Sequence, residues 1–145
     1  MKVKELLDKK GRAVITIGQN ETIEAAIQKL VGNSIGALPV CDTKDKILGI
    51  VSERDLLKEC SKSSKKIDST RVKDVMTRDV AIGLPEDELD YVRSIMTQKR
   101  IRHLPIMAGA RLEGIISMRD IIETQLEESR AQVRFFNDYV SGGYV

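Results

Sequence analysis

The sequence predicts an α/β (α+β) fold in which two β-α-β-β-α repeats pack about a pseudo-twofold axis, with a C-terminal helical tail. Three observations predict it: the chain repeats itself once, each repeat mixes short apolar strands with an amphipathic helix, and a heptad pattern follows the second repeat. We expect repeat 1 at residues 1–60, a linker at 61–70, repeat 2 at 71–125, and a C-terminal helix with a flexible end at 126–145.

The repeat appears when the chain is shifted by 69 positions in the opening segment, by 66 positions up to the first hairpin turn, and by 65 positions after that turn. The matched segments are 3–7 with 72–76, 14–40 with 80–106, and 49–57 with 114–122. In the last of these, five of nine pairs are identical. A single unit of this size buries little surface alone, so we expect the two units to pack together and to form two related clefts.

The first half of each repeat predicts a strand and then a helix. After a short opening turn, a brief apolar strand is expected at 14–17 and again at 80–82. Apolar side chains between Ile23 and Val31 recur at helical spacing and give the helix one face toward a core. Asn20 or Thr22 is placed to cap its start.

The second half of each repeat predicts a hairpin and a closing helix. In repeat 1 a strand ends near Cys41, residues 42–45 form the turn, and a second strand covers 47–51. The closing helix begins at Glu53. Repeat 2 follows the same course with its turn at 108–111.

Composition excludes several classes of protein. The net charge is only +2, which argues against a dedicated nucleic-acid binder. No apolar run is long enough to span a membrane, and we expect a cytoplasmic protein. Cys41, Cys60 and His103 are too few and too scattered for a zinc site or a disulfide framework, so no metal is expected.

The segment Gly-x-x-Ser-x-Arg-Asp occurs at the end of both repeats. Its polar members are Ser52, Arg54 and Asp55 in repeat 1, and Ser117, Arg119 and Asp120 in repeat 2. In one interpretation the serine and the aspartate form a capping box at a helix start. In the other, the helix start and the arginine bind a phosphate while the aspartate accepts the hydroxyls of a ribose.

The segment that leads into the Leu-Pro strand of the hairpin differs between the repeats. Repeat 2 has Arg102-His103-Leu104-Pro105, preceded by Lys99 and Arg100, whereas repeat 1 has Gly36-Ala37-Leu38-Pro39. The basic groups either bind a polyphosphate or form a solvated helix end. In either case the two clefts are chemically unequal.

The first strands supply candidates for contact with a purine base. These are Thr16 and Ile17 in repeat 1 and Ile82 in repeat 2. Packing in the core is the alternative interpretation for such isoleucines.

The tail carries an a/d seam with spacings of four and three residues. Its members are Ile122, Leu126, Ser129, Val133, Phe136 and Val140. The seam either pairs two chains in a homodimer or packs back on its own domain.

Two copies of Val-x-(Asp/Glu)-(Val/Leu), a Leu-Pro strand and Gly-x-x-Ser-x-Arg-Asp resemble a tandem CBS (cystathionine β-synthase) domain pair over residues 1 to 125. The resemblance implies a stand-alone Bateman module whose clefts bind adenosyl compounds: AMP, ADP, ATP, NAD(H) or S-adenosylmethionine. It implies that Asp55 and Asp120 hold ribose and that Ser52 and Ser117 contact ribose or phosphate. Residues beside the Leu-Pro pair would line the clefts, namely Ala37, Pro39, Arg102, His103 and Pro105.

The function expected from the sequence is therefore regulatory. The chain lacks a nucleophile and base with an orienting third group, and it is too short to hold a catalytic barrel, so we expect no enzyme. An adenine nucleotide would act as a ligand and an unknown protein would respond in trans. The alternative is a protein- or nucleic-acid-interaction module whose clefts stay empty.

Overall fold

A computed structural model describes residues 1–62 and 66–141 of the chain. Part of the expected linker (63–65) and the expected flexible end (142–145) lie outside the described residues. In chain order the elements are α1 (Val3–Lys10), α2 (Ile23–Asn33), β1 (Ala37–Cys41), β2 (Ile47–Ser52), α3 (Glu53–Cys60), a 3₁₀ turn (Val72–Asp74), α4 (Leu89–Lys99), β3 (His103–Ala108), β4 (Arg111–Ser117) and α5 (Met118–Val140).

The mixed helix and strand architecture is confirmed, with one antiparallel hairpin in each repeat. β1 pairs with β2 and β3 pairs with β4, and both hairpins shift register at equivalent points, after Val40 and after Ile106. Thr22 caps α2 as expected, because its side chain accepts a hydrogen bond from the amide of Ala25 at 3.2 Å. The two hairpins of the internal repeat therefore match in structure, including the position of the register shift.

The expected first strands at 14–17 and 80–82 are wrong as regular strands. In and next to these segments, a single residue of each repeat forms a β-bridge. Ile17 forms a parallel bridge with Val40, and Gly83 forms one with Ile106. Ile17 is hydrogen-bonded on both sides, to Pro39 O and from Cys41 N, both at 3.0 Å. A single bridge satisfies these backbone groups at the hairpin edge, and no longer ladder develops.

The opening segments of the two repeats are exchanged. Val3 in α1 donates its amide to Asp87 O at the start of the other repeat's helix, and Val72 in the 3₁₀ turn donates to Glu21 O, both at 2.9 Å. Each opening segment also buries its apolar side chains in the partner repeat. One core joins Val3, Leu6 and Leu7 to Leu89, Val92, Met96, Leu104, Ile106, Ile116 and Ile121. The other joins Val72 and Met76 to Ile17, Ile23, Ala26, Leu30, Leu38, Val40, Val51 and Leu56.

This exchange explains the glycine in each Gly-x-x-Ser segment. A methyl group on Gly49 would lie 2.7 Å from Thr77 O, and one on Gly114 would lie 2.7 Å from Leu7 Cδ2. Those distances are shorter than a carbon contact allows, so only glycine permits the exchanged segment to cross the strand. The glycine is therefore required by a close approach of the chain to itself.

Helix α5 continues beyond the second repeat. Ile121 and Thr124 are buried, but the described residues from Leu126 to Ser141 are exposed. The seam side chains Leu126, Val133, Phe136 and Val140 are between 48% and 65% exposed, so the seam does not pack back on its own domain. No helix in the described ranges is both long and apolar enough to cross a bilayer.

Candidate functional site

A cleft of about 650 Å³ lies between the two repeats. One wall comes from the Leu-Pro strand and closing helix of repeat 1, and the facing wall comes from the corresponding strand of repeat 2. Ten of the residues singled out in the sequence line it: Gly36, Ala37, Ser52, Arg54, Asp55, Lys99, Arg100, Arg102, His103 and Pro105. A volume in the range of about 300–1,000 Å³ is typical of small-molecule sites.

The carboxylate of Asp55 is held at the start of α3 by a complete capping box. Its Oδ2 accepts from the amide of Ser52 at 2.9 Å and from the hydroxyl of Ser52 at 3.0 Å. In return the amide of Asp55 donates to Ser52 Oγ at 3.3 Å. The capping interpretation is thus confirmed. Among the described residues no hydrogen bond reaches Oδ1, which leaves one oxygen for a ligand.

The facing wall is basic because α4 ends beside the cleft. Arg100 adopts a left-handed conformation (φ 56°) after the last helical residue, Lys99, and turns the chain into β3. Lys99, Arg100 and Arg102 all line the cleft, together with Arg54 from repeat 1. Glu53, Asp55 and Asp79 are the acidic residues there. Three of the four basic residues come from the end of α4 and the start of β3 and can meet a phosphate, whereas Arg54 and Asp55 belong to α3 of the other repeat.

His103 lines the cleft and lies against a glycine of the other repeat. A methyl group on Gly36 would lie 2.9 Å from the ring atoms Cε1 and Nε2 of His103, so the absence of a side chain there makes room for the imidazole. Burial lowers the pKa of His103, and the positive charges of Lys10 and Arg102 lower it further. The negative charges of Glu53 and Asp120 raise the pKa but do not cancel these effects. At neutral pH the ring therefore offers hydrogen bonds and carries no fixed charge.

The equivalent residues of repeat 2 lie elsewhere. Ser117 and Asp120 form the same capping box at the start of α5, with Ser117 N donating to Asp120 Oδ2 at 2.8 Å. Arg119 is 86% exposed and forms a surface ion pair with Glu123 at 3.0 Å. To bind a phosphate, Arg119 would have to break this ion pair. None of these three residues lines the cleft of Asp55.

The remaining candidates are also outside that cleft. Ile17 is 2% exposed in the core of repeat 1, and Pro39 is buried in β1. Thr16 offers its carbonyl oxygen to Lys29 Nζ at 2.9 Å. Ile82 is 44% exposed, but its neighbours Val80 and Ala81 do line the cleft.

Sequence reasoning missed part of the cleft wall. Thr77 and Asp79 line it because the exchanged opening segment of repeat 2 lies beside β2, where Thr77 and Ile50 exchange two backbone hydrogen bonds of 2.9 Å. Glu53 lines it as the first residue of α3. The repeated opening motif was the available signal, but its position in the chain assigns it to the wrong half of the fold.

The comparisons with known proteins agree with this architecture. A family model for the CBS domain matches residues 3–62 and again residues 72–127. The chain belongs to the CBS-domain family. The resemblance seen in the motifs is thereby confirmed, and each match covers one repeat of the CBS pair.

Two curated relatives illustrate how the CBS pair occurs elsewhere. A mitochondrial CBS domain-containing protein of Arabidopsis thaliana, CBSX3, is 29% identical over 129 residues, which are 86% of this chain and 63% of that protein. An inosine-5'-monophosphate dehydrogenase of Methanocaldococcus jannaschii is 39% identical over 111 residues, 76% of this chain but 21% of the enzyme. The chain spans less than two thirds of the length of either relative.

Solved structures match the CBS pair over their whole length. The CBS-domain protein ATU1752 from Agrobacterium tumefaciens has a TM-score of 0.82 and 37% identity, covering 86% of this chain and 99% of that chain. The CBS pair of protein MJ0100, solved with 5′-methylthioadenosine and S-adenosyl-L-methionine, has a TM-score of 0.79 and 25% identity, covering 88% and 98%. Within residues 1–62 and 66–141 no cluster of three metal-binding side chains occurs in this chain.

Proposed function

We propose that this CBS pair is a non-catalytic regulatory module that binds an adenine nucleotide in the cleft of Asp55. The observation that carries the proposal is the cleft itself, which has a volume of about 650 Å³. Asp55 lines it from repeat 1, and Arg100 and Arg102 line it from repeat 2. The related CBS pair of MJ0100 supports it, since that pair was solved with two adenosine-containing ligands. AMP, ADP, ATP, NAD(H) and S-adenosylmethionine are the candidate ligands.

The chemistry of the walls suggests an orientation. A ribose would donate its hydroxyls to the free oxygen of Asp55, and phosphates would lie toward Arg100 and Arg102. The base would pack against apolar wall residues such as Val80 and Ala81. Because the two walls belong to different repeats, a ligand that touches both favours one relative placement of the repeats. A partner protein would respond to that placement in trans.

The exposed seam of α5 supports a homodimer as part of the same proposal. Val133, Phe136 and Val140 leave a 56–65% exposed apolar stripe on a helix that projects from the fold. Light scattering is expected to give the mass of two chains, and Phe136→Glu is expected to reduce it to one. A wild-type mass of one chain would contradict this element of the proposal.

We also propose a cytoplasmic location for the protein.

The second candidate function is an interaction module with empty clefts, which the exposed α5 stripe favours. Calorimetric titration of nucleotide-stripped protein with AMP, ADP, ATP, NADH and S-adenosylmethionine distinguishes the two functions. We expect at least one ligand to bind with a dissociation constant on the order of micromolar, about −8 kcal/mol. Absence of heat with all five at millimolar concentration would overturn the nucleotide proposal and favour the interaction module.

A further inference from the structure

The second Ser-x-x-Asp carboxylate is already engaged by the chain itself. Lys10 Nζ lies 2.6 Å from Asp120 Oδ2 and 2.8 Å from the carbonyl oxygen of Ile115. The pair is partly buried, with side-chain exposures of 29% for Lys10 and 22% for Asp120. The ammonium group contacts Oδ2, the oxygen that also accepts from the amide of Ser117. It therefore neutralises the carboxylate and lies beside the other oxygen, Oδ1, to which a ribose hydroxyl would have to donate.

The first repeat provides an internal comparison. Ile50 is the residue equivalent to Ile115, and its carbonyl oxygen accepts a hydrogen bond from the backbone amide of Thr77 at 2.9 Å. The strand carbonyl is thus satisfied by backbone in one repeat and by a lysine side chain in the other. As a result, Asp55 has no ammonium partner among the described residues and borders an open cleft.

The difference arises in the exchanged opening segments. They are equivalent as far as Leu7 and Met76, both of which lie against the strand glycine of the other repeat. Beyond that point α1 continues to Lys10 and ends at Gly11, whose positive φ of 100° is easy for glycine. The 3₁₀ turn has already ended at Asp74. The longer helix therefore carries a lysine to the second carboxylate, and the shorter turn carries none to the first.

Charge around Asp120 fits an internal ion pair. Burial by itself raises the pKa of Asp120, but hydrogen bonds from Lys10 and Ser117 outweigh that effect and lower it below its usual value. By the internal repeat, Gly36 and Ala37 take the places that Arg102 and His103 have beside Asp55. The residues that repeat 1 presents to Asp120 therefore carry no charge, while Lys10 neutralises the carboxylate and His103 lies close enough for Asp120 to act on its pKa.

We propose that Lys10 closes the second cleft, so that each chain holds one adenosine ligand, beside Asp55. The inference rests on the proposed function, since it takes the capping aspartate as the ribose-binding group. In this arrangement Lys10 is a built-in competitor for Asp120. Removal of its ammonium group opens a second site that suits an adenosyl ligand without phosphate.

Equilibrium dialysis with AMP and with 5′-methylthioadenosine counts the ligands held per chain. We expect one per chain for the wild-type protein and two molecules of 5′-methylthioadenosine for Lys10→Ala. The added molecule should be lost in Lys10→Ala/Asp120→Asn. Lys9→Ala is the matched control, because Lys9 is also in the last turn of α1 and pairs with Glu127 on α5. It should keep one site. Lys10→Gln serves if Lys10→Ala does not fold.

Each outcome separates this inference from the proposed function. Two ligands in the wild-type protein, or one in both Lys10 variants, would overturn the closure by Lys10 and leave the proposed function standing. Binding only after Lys10 is replaced, and lost with Asp120→Asn, would support the closure and overturn the site at Asp55. Failure of either ligand to bind any of the proteins would overturn both.

Discussion

Asp55→Asn is expected to weaken nucleotide binding by about 10- to 100-fold. A hydrogen bond to a charged group contributes about 1.5–3 kcal/mol, and about 1.4 kcal/mol corresponds to a factor of ten in affinity. The amide oxygen of asparagine still accepts the hydrogen bond from Ser52, so the cap of α3 is retained while the negative charge toward the cleft is lost. Calorimetry with the tightest ligand of the panel measures the change.

Asp120→Asn is the matched control for this substitution. Asp120 occupies the same position in the same type of capping box but pairs with Lys10 outside the cleft of Asp55. Its replacement is expected to change the affinity less than about twofold, a difference of about 0.4 kcal/mol. An equal loss in both variants, or a loss only in Asp120→Asn, would mean that the ligand is not held by Asp55. Thermal melting of each variant checks that the fold is intact.

Leu7→Ala is expected to lower the free energy of unfolding of the whole chain by about 2–5 kcal/mol. Leucine-to-alanine changes at fully buried positions have costs in this range, because contacts are lost and a cavity remains. Leu7 is fully buried, and it comes from the opening segment of repeat 1 although it packs in the core of repeat 2. Urea denaturation with an unchanged m-value measures the loss.

The exchanged packing also predicts how cooperatively the Leu7→Ala variant unfolds. Since each core contains side chains from both repeats, we expect Leu7→Ala to unfold in one cooperative transition, as the wild-type protein does. Val31→Ala is the control, because Val31 is 75% exposed on α2, and its effect should stay within about 0.5 kcal/mol. A loss below about 1 kcal/mol for Leu7→Ala, or two separate transitions, would contradict the exchange of opening segments.

Local patterns in the sequence predicted most of the secondary structure. The helix at Ile23–Asn33 and its cap at Thr22 depend on neighbours within a few residues, and the structure confirms both. The expected apolar face is wrong at Val31, which is 75% exposed at the end of that face. The prediction of a regular strand at 14–17 was wrong because strand formation depends on a partner that is distant in the sequence. Its apolar residues fit a strand, but a strand requires a neighbour over several residues, and only Ile17 pairs with β1.

The exchange of opening segments was not predictable from local pattern. Val3, Leu6 and Leu7 have the spacing of an apolar helical face, but nothing in that spacing shows which core the face covers. Chain order suggested repeat 1, whereas the side chains pack in repeat 2. The contact is set by the relation between the two halves, which a single sequence does not display.

The candidate site was also only partly predictable from local patterns in the sequence. Asp55, Arg102 and His103 were each identified from residue type and motif, but their meeting in one cleft depends on how the halves face each other. From the motif alone, Asp55 and Asp120 were equivalent candidates for ribose binding. The structure separates them, because α1 carries Lys10 to Asp120 while Asp55 borders the open cleft.

A crystal structure of the protein with its tightest adenine nucleotide tests the central claim most directly. The account predicts one ligand per chain, with the ribose hydroxyls within hydrogen-bonding distance of Asp55 and the phosphates toward Arg100 and Arg102. A ligand whose ribose lies on Asp120, or a cleft that stays empty at saturating nucleotide, would contradict it.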